Sequence, residues 1–388
     1  MKIVDVCGFY SDTGGGVKRY VLQKLAAARA HGHELVVIAP GATSHTEQRS
    51  GGRIVWVRSP PMPGDANYRM FWSAREAWAV LDAEAPDVVE GSSPWRGGWI
   101  AGAWPGNAAR SLVFHQDFVA GYPYTALDRL LPRRAIDGLF APYWRGVRRL
   151  SARFDVTVAG GEWLARRLAD FGLNHPVAVP FGIETQRFSP ALRDEALRRD
   201  LLAQCGFGPE GRLLLSVGRF HPEKRHHVII EAVGTARARR PDLALAMIGD
   251  GLSRRSVERA AARVGGVTLL GAIADHALLA RYYASADVLV HASAAETYGL
   301  AVAEAMASGL PVVVPDCGGA ADLAPRGRSK VYPTGDAAAC AEAILAILDD
   351  GGDAPTVPPP SSAEAHFSAL FELYETLAAR SRDGAAAS

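Results

Sequence analysis

Residues 213–239 read LLLSVGRFHPEKRHHVIIEAVGTARAR and carry the signals of a strand, a turn and a helix in succession. The run Leu213–Val217 is almost entirely apolar, which is typical of a strand covered on both faces. Glycine and proline punctuate the turn, and a helical stretch follows from His226 to Arg239. These residues therefore predict one βα unit of a parallel sheet.

The same alternation of short apolar runs and helical stretches repeats along the chain. In the second half the predicted strands are Leu213–Val217, Leu243–Ile248, Val267–Leu270, Val288–Val290 and Val312–Val314. The predicted helices there are His226–Arg239, Arg254–Arg263, Ala277–Ala284, Leu300–Ser308 and Ala337–Leu348. In the first half the predicted strands are Ile3–Val6, Leu35–Ala39, Ile54–Val57, Val88–Val89, Leu112–Phe114, Val156–Ala159 and Val177–Val179, with helices at Val17–Ala30, Tyr68–Ala83 and Trp163–Phe171. Two such series predict an α/β protein with two doubly wound domains.

The domain limits are predicted from segments in which glycine and proline interrupt the pattern of strands and helices. The segment Val179–Pro190, VPFGIETQRFSP, marks a boundary, and the helical stretch Ala191–Cys205 follows it. Gly351–Ser362 is rich in proline, glycine and serine and predicts a linker. Ala363–Ala378 has helical periodicity, and the last residues, SRDGAAAS (381–388), are expected to fray. We expect domains at 1–186 and 187–360 and a C-terminal helix at 361–388.

Composition narrows the class of protein. The chain of 388 residues is 48% hydrophobic and 21% charged with a net charge of +1, so it is expected to be globular and to have no global attraction for nucleic acid. Its cysteines form no C-x-x-C pair, which predicts neither a zinc knuckle nor a disulfide framework. No apolar run reaches the length of a membrane span, and a reduced cytoplasmic protein is expected.

Ligands of open parallel sheets bind beyond the carboxyl ends of the strands, so the loops after strands are the candidate sites. Arg219 and Lys224 share the loop VGRFHPEKR after the first strand of the second half, where two cations are suited to clamp a diphosphate. A solvated basic turn is the alternative interpretation.

A second candidate lies in ASAAETYGLAVAEAMASGLPVVVP, residues 292–315. Glu296 precedes a predicted helix, beside backbone amides that suit a phosphate, and Glu304 lies about two helical turns further on. A carboxylate there is suited to bind hydroxyls of a sugar or a ribose. The alternative is that Glu304 only complements the helix dipole.

Three further loops are weaker candidates. The glycine loop Ser11–Gly16 allows close approach of an anion to the following helix, or is a plain turn. His115 emerges at the end of a strand in the first half, where a structural role is the alternative. Gly249-Asp250-Gly251 either borders the site or is only a tight turn.

These motifs, in this order, resemble glycosyltransferase family 4, the retaining enzymes of the GT-B fold, over nearly the whole chain. The resemblance implies two Rossmann-like domains that face a central cleft, with a C-terminal helix that crosses back to the first domain. It implies a donor diphosphate bound by Arg219 and Lys224, sugar hydroxyls bound by Glu296, a ribose bound by Glu304, and His115 near the donor sugar. The implied catalytic residues are His115, Glu296, Arg219 and Lys224, and the implied donor-binding residues are Gly15, Gly16, Gly249, Asp250, Thr297, Tyr298, Gly299, Leu300 and Glu304.

The function implied is retaining transfer of a mannose- or glucose-type hexosyl group from a UDP- or GDP-sugar to a glycolipid, oligosaccharide or polysaccharide hydroxyl. No metal site is readable, so we expect no metal requirement and no cofactor besides the nucleotide-sugar substrate. The alternatives are a non-catalytic nucleotide-sugar-binding subunit and a GT-B-type sugar phosphorylase or epimerase.

The stretch Leu131–Phe154 mixes arginines with aromatic residues. On a helix this composition is typical of contact with an anionic membrane, which predicts a peripheral location at the inner face of the plasma membrane. A solvated charged face is the alternative.

Overall fold

The computed structural model describes residues 1–11, 16–63, 65–128, 130–326, 328–350 and 360–386. The chain folds into two compact units. Unit 1 comprises Met1–Gln116, Asp137–Pro180 and the C-terminal segment from Glu364, and unit 2 comprises Asp117–Ile136 and Phe181–Ala363.

Unit 1 contains a parallel sheet with helices between its strands. The strands of unit 1 are β1 (Lys2–Val6), β2 (Glu34–Gly41), β3 (His45–Arg49), β4 (Gly52–Arg58), β5 (Pro61–Met62), β6 (Asp65–Arg69), β7 (Val88–Gly91), β8 (Ala109–Phe114), β9 (Val156–Ala159) and β10 (Pro176–Ala178). Among them, β5 and β6 form a separate antiparallel pair. The helices along the same part of the chain are α1 (Gly16–Ala30), α2 (Arg75–Glu84), α3 (Arg96–Ala103), α4 (Phe118–Gly121), α5 (Pro123–Leu127), α6 (Arg133–Leu139), α7 (Ala141–Ser151) and α8 (Glu162–Asp170). Of these, α4, α5 and the first part of α6 belong to unit 2.

The eight-stranded sheet of unit 1 has the order β10-β9-β8-β7-β1-β2-β4-β3. All its pairings are parallel except β3 with β4. The chain runs outward from β1 through β2 and then returns to β7 on the other side of β1. The switch point of this sheet therefore lies between β1 and β7.

Unit 2 repeats the plan with six strands. After α9 (Glu195–Gln204) the elements are β11 (Arg212–Val217), α10 (His226–Ala236), β12 (Leu243–Ile248), α11 (Arg254–Val264), β13 (Val267–Gly271), α12 (His276–Ser285), β14 (Val288–Val290), α13 (Leu300–Ala307), β15 (Val312–Pro315), α14 (Gly319–Leu323), β16 (Ser329–Tyr332) and α15 (Ala337–Asp349). The order is β13-β12-β11-β14-β15-β16, and every pairing is parallel. The switch point lies between β11 and β14.

Both faces of the second sheet are buried. Leu213 and Leu215 of β11 pack into one hydrophobic cluster, whereas Leu214 packs into the cluster on the opposite face. Successive side chains of a strand point to opposite faces, so a strand covered on both sides needs a continuous apolar run. This is why the run at 213–217 predicts the fold.

The C-terminal helix α16 (Ala363–Ala386) packs into unit 1. Phe367, Leu370, Phe371 and Tyr374 join the hydrophobic cluster of Ile3 and its neighbours. The prediction that this helix returns to the first domain is confirmed. Fraying was expected at 381–388, whereas the helix continues to Ala386, and residues 387–388 lie outside the described residues.

Several predicted elements differ from the structure. Within the predicted helix Tyr68–Ala83, Tyr68 lies in β6 and the helix begins only at Arg75, whose amide donates to Ser73 Oγ at 3.2 Å. The predicted helix Ala191–Cys205 begins at Glu195, where Asp194 caps it. The strands β3 and β16 were not predicted because they lie at sheet edges and lack a long apolar run.

Asp117–Ile136 folds with unit 2, whereas the predicted first domain 1–186 includes it. Within unit 2 the segment is held by an ion pair between Asp128 and Arg225. The limits 1–186, 187–360 and 361–388 stay a proposal. Most of the predicted linker, residues 351–359, lies outside the described residues.

Candidate functional site

The switch point of the second sheet brings two loops together. One follows β11 and runs from Gly218 to Arg225, and the other follows β14 and runs from His291 to Gly299. β11 and β14 are hydrogen-bonded neighbours, although about seventy residues of chain separate them. This edge is where a doubly wound sheet binds its ligand.

Lys224 and Glu296 meet across these loops. The Lys224 Nζ donates to Glu296 Oε1 at 2.5 Å, and His291 Nε2 lies 3.4 Å from the same oxygen. Both side chains of the ion pair are largely buried, with 16% and 20% exposed. The pair therefore places one cation and one anion at a shared, poorly hydrated position.

The pKa of Glu296 lies well below its usual range. Burial alone would raise this pKa, but the charge of Lys224 and hydrogen bonds from His291 and Lys224 outweigh it. Glu296 is therefore ionised at neutral pH. An ionised carboxylate accepts hydrogen bonds, which suits the recognition of hydroxyl groups.

Arg219 is at the same loop but faces solvent. Its side chain is 77% exposed, and its Nη2 lies 3.6 Å from Glu223 Oε1. Because the guanidinium is not buried in a fixed ion pair, it retains donors for an incoming anion. The loop thus offers one fixed ammonium and one exposed guanidinium.

The turn Gly249-Asp250-Gly251 supports this loop. A Cβ on Gly249 would lie 1.9 Å from the carbonyl oxygen of Gly218, so only glycine allows the close approach. The Phe220 amide donates to the Asp250 carbonyl at 2.8 Å. The Asp250 side chain accepts from the Gly251 amide and pairs with Arg254, which is turn chemistry. The turn orients the Arg219 loop through backbone contacts.

The loop of Glu296 is packed against a second glycine pair. The Gly319 amide donates to the Glu296 carbonyl at 2.7 Å, and a Cβ on Gly319 would lie 2.5 Å from the Tyr298 backbone. Gly299 has a positive φ of 96° and directly precedes α13, which begins at the exposed Leu300. Thr297, Tyr298 and Gly299 thus form a compact entry to the helix, as the sequence predicted. The amino end of α13 lies at this loop, and the amino end of a helix favours an anion.

Glu304 lies on α13 and is 7% exposed. The Tyr283 hydroxyl donates to Glu304 Oε2 at 3.0 Å, and Tyr283 itself is fully buried. A carboxylate that only complements a helix dipole needs no buried donor. The Tyr283 hydroxyl therefore orients the Glu304 carboxylate, and the binding of a ribose by Glu304 stays a prediction.

His115 lies in unit 1, at the end of β8, and its ring contacts that of Tyr20 with centroids 4.8 Å apart. Desolvation lowers the pKa of His115 to about 4, so the imidazole is neutral at neutral pH. Gly16 begins α1 and is exposed, whereas Gly15 lies outside the described residues. The structure thus places the donor-side candidates in unit 2 and these residues in unit 1.

A buried charged cluster in unit 1 was missed by the sequence analysis. Lys24 Nζ donates to Asp5 and Glu90, the Ser92 hydroxyl lies 2.6 Å from Asp5 and 2.9 Å from Glu90, and the Tyr374 hydroxyl donates to Glu90. Lys24, Asp5 and Glu90 are fully buried. Burial and the charge of Glu90 raise the pKa of Asp5 to about 7. The sequence indicated this cluster only through Asp5 and Glu90, which are charged residues inside largely apolar strands.

Among the described residues, no helix combines the length and apolarity needed to cross a bilayer. Within the same residues, His, Cys, Asp and Glu form no group of three arranged to hold a metal ion. In the basic stretch 131–154, Trp144 is buried and its ring stacks on that of Phe171 with centroids 3.9 Å apart, so Trp144 belongs to the core. Arg145, Arg148 and Arg149 are exposed on α7.

Comparisons with known proteins show the family of the chain. Residues 14–187 match the family model described as Glycosyltransferase Family 4, and residues 211–350 match the model described as Glycosyl transferases group 1. A GDP-mannose-dependent alpha-mannosyltransferase of Mycolicibacterium smegmatis is 32% identical over 88% of this chain and 86% of that protein. A GDP-mannose-dependent alpha-(1-6)-phosphatidylinositol dimannoside mannosyltransferase of Mycobacterium tuberculosis is 29% identical over 81% of this chain and 79% of that protein.

The fold has close structural relatives as well. The sucrose-phosphate synthase of Thermosynechococcus elongatus superposes with a TM-score of 0.70 over 100% of both chains at 21% identity. The two parallel sheets and the returning C-terminal helix therefore define a GT-B protein, and the predicted fold class is confirmed.

The chain belongs to glycosyltransferase family 4. It is an enzyme, a hexosyltransferase. The comparisons do not favour a non-catalytic subunit, a phosphorylase or an epimerase.

Proposed function

We propose that the enzyme transfers a mannosyl group from GDP-mannose to a hydroxyl of a glycolipid. The observation that carries the proposal is the Lys224–Glu296 pair at the switch point of unit 2, with Arg219 exposed in the same loop. The names of two relatives, a GDP-mannose-dependent mannosyltransferase and a mannosyltransferase of phosphatidylinositol dimannoside, support the choice of donor and acceptor class.

In this proposal unit 2 binds the donor. Lys224 and Arg219 bind the diphosphate and stabilise the negative charge that develops on the departing nucleotide. The amino end of α13, entered through Thr297, Tyr298 and Gly299, contributes a further partial positive charge. Glu296 accepts hydrogen bonds from hydroxyls of the transferred sugar, and Glu304, oriented by Tyr283, binds the ribose diol.

The chemistry proposed needs no metal, because protein cations and helix amides stabilise the leaving group. We propose retention of the anomeric configuration, with the leaving phosphate as base for the attacking hydroxyl. His115, neutral at neutral pH, accepts or donates a single hydrogen bond near the reacting sugar.

Calorimetric titration with GDP, UDP and ADP, each with and without EDTA, tests the donor site. We expect GDP to bind most tightly and equally well in EDTA. Arg219→Ala and Glu304→Ala should each weaken GDP binding at least tenfold, because each removes a charge-assisted contact worth about 1.5–3 kcal/mol.

The matched control is Arg199→Ala, which removes an exposed arginine of α9 in the same unit. It should bind GDP as the unaltered enzyme does. Equal GDP affinity in Arg219→Ala, Glu304→Ala and the control would contradict the assigned site, and tighter binding of UDP would contradict the proposed donor. Loss of GDP binding in EDTA would contradict metal independence.

We also propose peripheral contact with an anionic membrane at the inner face of the plasma membrane, through the exposed arginines of α7. Replacing Arg145, Arg148 and Arg149 with glutamine should weaken sedimentation with phosphatidylinositol-containing liposomes and leave GDP affinity unchanged. Unaltered sedimentation of this variant would contradict the membrane contact.

A further inference from the structure

Unit 1 contains a pocket that no part of the donor site uses. It has a volume of about 430 Å³ and lies beyond the carboxyl ends of β1 and β7, the switch point of the first sheet. Gly8 follows β1, and Ser93 follows β7. The position and volume are those of a ligand site.

The walls of this pocket are mostly apolar. They include Phe9, Met62, Phe71, Trp95, Trp99 and Val147. Close packing of glycines shapes its floor, because a Cβ on Gly97 would lie 2.7 Å from the Val6 carbonyl oxygen. Aromatic, methionine and aliphatic surfaces of this kind bind hydrocarbon and exclude water.

A few polar groups lie at the same pocket. Ser93 is only 5% exposed, and within the described residues its Oγ has no hydrogen-bond partner. Arg69 and Arg96 also line the pocket, and each makes one hydrogen bond to a backbone carbonyl, those of Ser59 and Trp72. A guanidinium has five N–H donors, so both arginines retain donors for an anion.

Helix α7 supplies both a pocket wall and charge. Pro142 and Gly146 line the pocket, and Arg145 and Arg149 are exposed on the same helix. Residues three, four and seven apart share one face of a helix, so these arginines flank the pocket wall. Nearby, Trp72 is 73% exposed, and an indole there suits the interface between water and lipid.

We propose that this pocket binds the hydrocarbon chain of an anionic lipid acceptor, with the acidic headgroup against Arg69 and Arg96. The inference rests on the proposed function for the identity of the acceptor, and it adds where the apolar part of that acceptor binds. A pocket for a sugar alone would need more polar groups than this lining provides.

Gly146 offers a sharp test. A Cβ at Gly146 would meet no atom within 4 Å, and the residue lies on α7 in the pocket wall. The Cβ of Gly146→Leu therefore enters open space, and we expect the rest of the leucine side chain to occupy pocket volume. The substitution also replaces a poor helix former. Gly138→Leu is the matched control, because Gly138 has the same free space on α6 but does not line the pocket.

Binding is measured through tryptophan fluorescence. Phosphatidylinositol with a dibrominated stearoyl chain, presented in mixed micelles, should quench Trp95 and Trp99 at short range. We expect Gly146→Leu to raise the lipid concentration needed for half-maximal quenching about tenfold, which corresponds to roughly two buried methylenes. Gly138→Leu should behave as the unaltered enzyme.

Equal quenching of the Gly146→Leu variant and the unaltered enzyme would overturn the proposal. Equal effects of both leucine substitutions would overturn it as well, because the effect would not then depend on the pocket. GDP titration of the same proteins separates this inference from the proposed function. If quenching depends on Gly146 while GDP does not bind, the proposed function fails and the lipid pocket stands.

Discussion

Replacing Lys224 with methionine tests whether the buried ion pair with Glu296 holds the site together. The pair joins atoms 2.5 Å apart in side chains that are 16% and 20% exposed. Removal of one member of a buried pair costs about 3–5 kcal/mol, because the remaining charge is left without a partner in a poorly hydrated place. Because both side chains are partly exposed, water reduces this cost, and we expect Lys224→Met to lower the free energy of unfolding of unit 2 by about 2–3 kcal/mol.

The double variant Lys224→Met/Glu296→Gln separates the free energy of interaction between the two charges from the effect of losing each side chain. With neither charge present, no uncompensated ion remains, so the two substitutions should cost less together than the sum of the single effects. Urea denaturation of the four proteins gives the coupling free energy, which we expect to be about 1.5–3 kcal/mol.

The exposed pair Arg239–Glu342 provides the comparison. Its atoms are 2.7 Å apart, but the two side chains are 60% and 66% exposed. A cycle built from Arg239→Met and Glu342→Gln should show coupling close to zero, because water screens the charges. If the two cycles give equal coupling, burial does not strengthen the Lys224–Glu296 pair and the reasoning is refuted.

Three further predictions concern other buried polar groups. Tyr283→Phe should weaken GDP binding less than Glu304→Ala does, because it removes only the hydroxyl that orients the carboxylate, and calorimetry compares the two. Tyr374→Phe should lower the free energy of unfolding by about 1.5–3 kcal/mol, because a hydrogen bond to the buried carboxylate of Glu90 is lost. Urea denaturation of the variant and the unaltered enzyme measures this difference. An unchanged midpoint of denaturation would contradict the prediction. Desolvation lowers the pKa of His366 from 6.5 to about 4. The contribution of His366 to the free energy of unfolding is therefore fully present above pH 6.5 and is lost as the pH falls towards 4. At about pH 5 the free energy of unfolding should be roughly 2 kcal/mol lower because of this residue. Between about pH 7 and pH 5, the free energy of unfolding of His366→Gln should fall by that much less than that of the unaltered enzyme.

The site was predictable where its residues follow strands directly. Arg219 and Lys224 lie in one loop, and Glu296 and Glu304 lie about two helical turns apart, so local spacing was sufficient to propose them. His291 and Tyr283 were not predicted as site residues, because nothing near them in the sequence indicates that they contact Glu296 and Glu304.

The pocket of unit 1 was beyond prediction from sequence. Its walls come from loops and helices far apart in the chain, and Phe9, Met62, Phe71 and Trp99 each look like an ordinary core residue in isolation. The aromatic residues of 131–154 were predicted to face a membrane, whereas Trp144 is buried against Phe171. Helical periodicity identifies an amphipathic helix but not what its apolar face contacts.

The amino-acid sequence by itself determined the fold class, the alternation of strands and helices and the loops that carry charge, because these depend on local periodicity and on short-range turn chemistry. Only the tertiary structure decided the pairing of Lys224 with Glu296 and of Tyr374 with Glu90, whose partners lie 72 and 284 residues apart in the chain. Strand order sets which distant loops share an edge of a sheet. Burial there sets the electrostatic strength of the pairs that result.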